Sequence, residues 1–286
     1  MLCFARPFSQ IRQGVSRIAL RNRCILRSNS SLRFDIRNNF AWSNYSQILP
    51  YLPSVSYSSQ SSSSVTQKKQ DARLISNVLN FWFGKEDFPE WERYESQLGL
   101  WYGSSEEIDA DIRKRFERNV EDALSGNLDH FIDNKDYPLE AELALVILLD
   151  QFPRNIYRRS GRAFSGDAKS KAIVDDMLRT KRWDELKEYF SPIVRMSFLL
   201  PLMHQESLED QDKCIELIQR MLEECKLAGS EAEETAKQLH QSLYFSQQHR
   251  DIIEQFGRFP HRNKVLNRTS TEKEKQFLQD GPTFGQ

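Results

Sequence analysis

The eleven residues Leu139–Leu149, LEAELALVILL, are apolar on nearly every face of a helix. An amphipathic surface helix carries one apolar stripe, whereas a helix apolar all round has to be covered on all sides. This segment therefore predicts a central helix, with Pro138 in its first turn, where a missing N–H costs nothing. The rest of the chain has to supply the cover.

Residues 71–286 do so with helical periodicity. Leu74, Val78, Leu79 and Trp82 are spaced for a helix over 71–83 that stops at Gly84. Ile108, Ile112, Phe116, Val120 and Leu124 step by four and stop at Gly126. Ser104 and Glu107 have the spacing of a capping box before that stripe, and Ser230 and Glu233 have it before the last long helix. Ser165 or Asp167 caps a helix to about Thr180, 183–189 form a short one, and Pro192 starts another to Met203. A stripe through Leu208, Ile215, Ile218, Leu222 and Cys225 meets a stop at Gly229, the last long helix meets Gly257, and Thr271 opens a short terminal helix. No run alternates with the period of two that makes a strand, and Gly 11 and Pro 10 are few for 286 residues. The fold class is all-α, in antiparallel helix pairs with short connections. No clean 34-residue repeat is visible, so periodicity alone does not make it a solenoid.

Charge divides the chain at about residue 70. Residues 1–70 hold ten Lys/Arg against one acid, Asp35, while the remainder carries 30 basic and 40 acidic residues. Spaced arginines, abundant serine and scarce acid match a transit peptide, and a secretory apolar core is missing. The segment 54–64 (SVSYSSQSSSS) reads as a linker. We therefore expect a disordered targeting segment and linker over 1–70, mitochondrial with chloroplast as the alternative, and one helical domain over 71–286. A plain basic arm is the competing reading. An acidic body argues against nucleic-acid binding, which needs a basic surface. The longest apolar run, Leu143–Leu149, is far short of the roughly 20 residues of a membrane span. Cys214 and Cys225, eleven residues apart on one helix, are too distant for a disulfide and read as buried thiols. Nothing in the sequence sets an oligomeric state.

Two segments stand out chemically: Asp150–Asn155 (DQFPRN) and Phe256–Asn263 (FGRFPHRN). Both place Phe-Pro and then Arg-Asn after an apolar helical run, and each proline is expected to end its helix, since the residue before proline avoids helical geometry. Arg154, Asn155 and Arg158 follow the first; Arg258, His261, Arg262 and Asn263 follow the second. Guanidinium groups read a carboxylate or phosphate bidentately, so these residues form a candidate site for an anionic small molecule or a carboxylate-bearing peptide. The alternatives are pairing with internal acids, Asp150 first among them, and a solvated basic turn. His249 lies on the apolar stripe of the last long helix, as a core histidine or as an acid/base. An enzyme of hydrolase or lyase type would use His249 or His204 as acid/base, with Asp150 orienting a partner. His204 and Glu206 with His249 or His261 are the candidate metal set, but no HExxH or CxxC spacing accompanies them, and no metal or cofactor is expected. GxGxxG, GxxxxGK[ST] and GxSxG are absent. Trp82, Phe83, Trp91, Trp101 and Tyr102 form either core or the wall of an apolar pocket. A third reading is a scaffold whose arginines are all locked in internal ion pairs.

Several blocks resemble a known family. NFWFG at Asn80–Gly84, LWYGSSEEIDADIRKRF at Leu100–Phe116, LDQFPRNIY at Leu149–Tyr157 and AFSGDA at Ala163–Ala168 are similar to the domain of unknown function 924 family. So are LPLMHQE at Leu200–Glu206, with Gln211, and HRDIIEQFGRFPHRN at His249–Asn263. The resemblance spans about residues 74–280 and implies an all-helical, tetratricopeptide-like fold. It carries no established activity. Gln205 departs from the serine the resemblance leads one to expect. The basic tail lies outside the resemblance and fits an organelle-targeted eukaryotic version of a mainly bacterial module.

Overall fold

A computed structural model describes residues 62–84, 94–103, 105–132 and 139–282. The expected targeting segment, Trp91, Ser104 and Pro138 lie outside the described residues, except for the helical stretch from Ser62. Among the described residues the fold is all-α, with ten α-helices and no strand. None of these helices is long and apolar enough to cross a membrane.

The central helix is where its composition put it. α4 (Leu139–Val146) is packed against α1 (Ser62–Phe83), α6 (Asp167–Arg179) and α7 (Pro192–Met203), and its continuation packs on α3 (Glu106–Ser125). Every residue from Ala141 to Asp150 is buried. At about 1.5–3 kcal/mol for each fully buried leucine or isoleucine, this one segment is a principal source of stability. Its one buried acid besides Asp150, Glu142, accepts two bonds from Arg182, at 2.6 and 2.7 Å.

The expectation that Phe152-Pro153 ends this helix is corrected. The helix instead widens into a π-type turn over Ile147–Gln151 and resumes as α5 (Phe152–Ile156). The cause is local: Pro153 has no N–H for the carbonyl of Leu149, four residues back. The Phe152 N–H reaches to Ile147 O, five residues back, which is the π spacing. Gly166 then packs on the released Leu149 carbonyl so closely that a Cβ there would overlap it.

At the second Phe-Pro the helix ends before the proline, which instead opens a short turn. α9 (Glu233–Phe256) ends in a left-handed Gly257, φ +68°, and Pro260–Arg262 form a single 3-10 turn. α8 (Leu208–Ala228) and α9 make an antiparallel hairpin, in which Asp212 meets Arg250 at 2.6 Å and Cys214 meets Ser246 at 3.8 Å. Both Cys214 and Cys225 are free and buried.

Helix starts differ from expectation at four places, and at α6 neither Ser165 nor Asp167 is the cap, since Gly166 holds that position. α1 begins at Ser62 rather than at Asp71. α3 is capped by Ser105, whose hydroxyl accepts from Ile108 N–H at 3.4 Å. The box expected at Ser230 and Glu233 does not form, because the Glu233 N–H is satisfied by the Ser230 carbonyl in a 3-10 turn. α8 is capped by Ser207, and α10 (Glu272–Asp280) has a complete capping box between Thr271 and Glu274.

Candidate functional site

A cavity of about 330 Å3 lies between α1 and α2 (Leu98–Tyr102) on one side and α7 and α9 on the other, with the π turn and α5 at its floor. Trp82, Trp101, Met196, Leu200 and Phe245 make its apolar wall. Trp101 is fixed by donating its indole N–H to the Trp82 carbonyl at 3.0 Å. Tyr102, 50% exposed, stacks on Phe245 at 5.7 Å and forms part of the rim. The clustered aromatics of the N-terminal part thus serve both as core and as pocket wall.

The floor is polar. Asp150, in the π turn, is fully buried and sits 2.9 Å through each carboxylate oxygen from His204 Nδ1. Gln151 also donates to Asp150 Oδ2, and Arg154 Nη1 lies 3.5 Å from Oδ1. Burial alone would raise the Asp150 pKa. The adjacent Arg154 charge and the bonds from His204 and Gln151 outweigh it and hold the carboxyl down at about 2. His204 follows the last residue of α7 and lines the cavity. Burial, reinforced by Arg154, lowers its pKa against the pull of Asp150. The ring is therefore neutral near pH 7. It donates Nδ1–H to Asp150, which leaves Nε2 as an acceptor.

His249 also lines the cavity, with its ring 6.2 Å from that of His204 and edge-on to Phe259 at 5.5 Å. Its Nδ1 bonds the Phe245 carbonyl one turn back at 2.8 Å, and burial followed by the proximity of His204 lowers its pKa to about 3. His249 thus combines the two roles open to it in sequence, packed in the core and facing the pocket.

The two Phe-Pro turns do meet, and the meeting point is an acid. Arg154 forks onto Asp167 at 2.8 and 3.1 Å and also bonds the Asp150 carbonyl. Arg262 reaches the same Asp167 at 3.4 Å, with its guanidinium stacked between Phe164 and Phe259 at 4.4 and 4.5 Å. Burial and the neighbouring Arg154 lower the Arg262 pKa to about 10. Asp109 takes Arg158 at 2.6 and 2.9 Å and Asn155 at 2.9 Å. Three guanidinium groups thus face three carboxylates, so the arginines of this region are each paired with an acid packed beside them.

The single cationic patch expected from sequence is therefore divided. Arg154, Asn155 and Arg158 line the cavity together with His204 and His249. Arg258 is drawn to Glu274 at 2.6 and 2.8 Å, and Asn263 donates to Ser270 at 3.1 Å. His261 packs on Phe259, and none of Arg258, His261, Arg262 and Asn263 lines the cavity. Each of them is held by a neighbour outside the cavity: Arg258 by Glu274, Asn263 by Ser270, and His261 and Arg262 against Phe259. His204 and Glu206 do not converge either: Glu206 accepts from Arg268 at 2.6 and 2.9 Å and from the Phe259 N–H at 2.8 Å. Among the described residues no three His, Cys, Asp or Glu side chains are grouped to hold a metal ion. Sequence reasoning missed Asp109, Asp167 and Gln151. All three fall within or beside the blocks that carry the family resemblance, and that was the available signal. Gln205, in the position where serine was expected, donates to the Pro201 carbonyl at 2.9 Å.

Fold and floor together define an all-helical protein with an apolar pocket closed at one end by a carboxylate-backed histidine and balanced ion pairs. The chain belongs to the family described as bacterial protein of unknown function (DUF924), which matches residues 78–282. It is similar to the solved structure of a protein of unknown function from Agrobacterium tumefaciens, 28% identical, with a TM-score of 0.56 over 73% of this chain and 99% of that one. No curated protein matches the chain.

Proposed function

We propose that the protein binds a small amphipathic molecule whose head is uncharged. The observation that carries this reading is the two-ended cavity. An indole and thioether wall suits an apolar body, and a polar floor supplies hydrogen-bonding groups, its arginines Arg154 and Arg158 each already paired with a buried or partly buried acid. The anion that the arginines suggest in sequence is disfavoured, because Arg154, Arg158 and Arg262 already face Asp109, Asp150 and Asp167. Displacing a bidentate buried carboxylate with a ligand carboxylate gives little net gain.

Titration of indole fluorescence from Trp82 and Trp101 tests the reading, with octanamide compared against octanoate. Octanamide saturates the signal and octanoate binds more weakly. Leu200→Trp, which fills the cavity at a partly exposed position, abolishes the response while the far-ultraviolet dichroism is kept. Equal or stronger binding of octanoate refutes the uncharged head, and no response to either refutes the site.

We further propose that residues 1–70 direct the chain to mitochondria, with chloroplasts as the alternative, on the strength of spaced arginine, serine and scarce acid. A fusion of these residues to a fluorescent protein tests this, and diffuse cytosolic fluorescence refutes it.

A further inference from the structure

We propose that the cavity is a hydrolytic active site for uncharged esters with an apolar acyl chain, in which His204 is the catalytic base and Asp150 its positioning residue. This rests on the binding reading above.

The geometry is that of an activated imidazole. Both Asp150 oxygens lie 2.9 Å from His204 Nδ1, which fixes the tautomer and presents Nε2 as the basic nitrogen. The carboxylate comes from a π turn, a distortion that recurs at functional sites and that this sequence builds with Pro153. A second feature is the charge arrangement around the ring. Arg154 on α5, Asp167 on α6, and His249 on α9 with Arg262 beyond it all surround His204. The arginines are matched by acids, and His249 is held neutral, so His204 rests in its basic form.

The nucleophile is water. Ser242 lines the cavity but donates to the Gln238 carbonyl at 3.2 Å, and Cys214 lies behind the wall with its thiol pushed up by burial to about 12. Water gives one proton to His204 Nε2 while its oxygen bonds to the ester carbonyl carbon and the carbonyl π pair moves onto its oxygen. Collapse of that intermediate breaks the bond to the alkoxide, which takes the proton back from Nε2–H. Carboxylic acid and alcohol leave, and His204 is neutral again. No cofactor enters the balance. The wall of Trp82, Trp101, Met196 and Leu200 selects an apolar acyl chain, and the balanced ion pairs disfavour a phosphoester.

The test uses the full chain with ethyl octanoate, following acid release and, separately, octanamide binding by indole fluorescence. The wild type releases octanoic acid above the buffer rate. His204→Gln lowers kcat by on the order of a hundredfold or more, the usual contribution of a general base, a loss far larger than any accompanying change in octanamide affinity. Asp150→Asn lowers kcat with KM little changed. Because that buried substitution also risks the fold, the wild-type pH profile is a second readout. The rate rises through one ionisation below the 6.5 of an ordinary histidine and is flat above it. Octanamide binding without His204-dependent release, or a rate proportional to hydroxide, overturns the catalytic proposal alone. Absence of octanamide binding overturns the binding reading beneath it.

Discussion

Removing the Asp167 carboxylate isolates the junction of the two Phe-Pro turns. In Asp167→Ala, Arg154 and Arg262, whose side chains are 9% and 8% exposed, lose the acid they share. Arg154 loses a bidentate pair at 2.8 and 3.1 Å and Arg262 its ion pair at 3.4 Å, and two guanidinium groups are left adjacent with only Asp150 in reach of the first. Breaking a buried ion pair by removing one partner costs about 3–5 kcal/mol, since an uncompensated charge stays behind. Asp167 is 13% exposed, so water entering at its edge places the loss toward the lower figure. At roughly 2–4 °C per kcal/mol for a domain of this size, Tm falls by about 6–15 °C. Urea denaturation followed by circular dichroism measures it directly. Adding Arg262→Met to Asp167→Ala recovers part of the loss, a coupling of about 0.5–3 kcal/mol. Glu216→Ala serves as control: its carboxylate, 41% exposed, pairs with Lys213 and Arg220 on the surface and is worth about 0–1 kcal/mol. If Asp167→Ala costs no more than Glu216→Ala, or Arg262→Met restores nothing, the reasoning about a shared buried counter-charge is wrong.

Two other expectations are independent of that junction. Gly166→Ala forces a Cβ into the Leu149 carbonyl, which backbone cannot yield cheaply, and lowers stability by about 1–3 kcal/mol in a thermal melt; a neutral result refutes the close packing of α6 on the π turn. His249, with a folded pKa of about 3 against an ordinary 6.5, binds its proton more readily unfolded than folded. It therefore contributes stability that is fully present above pH 6.5 and is lost as pH falls toward 3. His249→Gln flattens the fall of unfolding free energy over that window, and an unchanged slope refutes the assignment.

Much of the fold was written in periodicity. The all-round apolar Leu139–Leu149 had to be central, the four-residue stripe of α3 faces it, α8 packs instead on α7 and α9, and Gly126, Gly229 and Gly257 mark helix ends. These are local or one-dimensional constraints: a side chain's face follows from its spacing, and a left-handed stop follows from glycine. Capping was legible only where no competitor existed. Thr271 with Glu274 forms its box, whereas at Ser230 a backbone carbonyl satisfies the same donor.

The site shows the opposite division. Sequence singled out Arg154, Arg158, Arg262, His204, His249 and Asp150 as the residues able to do chemistry, because few groups in this chain can. It did not determine which of them meet. That His204 reaches back 54 residues to Asp150, and that Asp167 joins turns lying either side of it in the chain, depends on how α5, α6 and the ends of α7 and α9 pack on the central helix. The π turn has a local cause in Pro153, but that the helix resumes after it instead of stopping follows from the surrounding helices that bury the segment. The sequence by itself determined the helices and the candidate chemistry. Tertiary packing decided which charges cancel, which histidine is backed by a carboxylate, and which half of the expected patch faces the cavity. Coulomb and hydrogen-bond energies depend on distances between elements, and helical periodicity does not encode those distances.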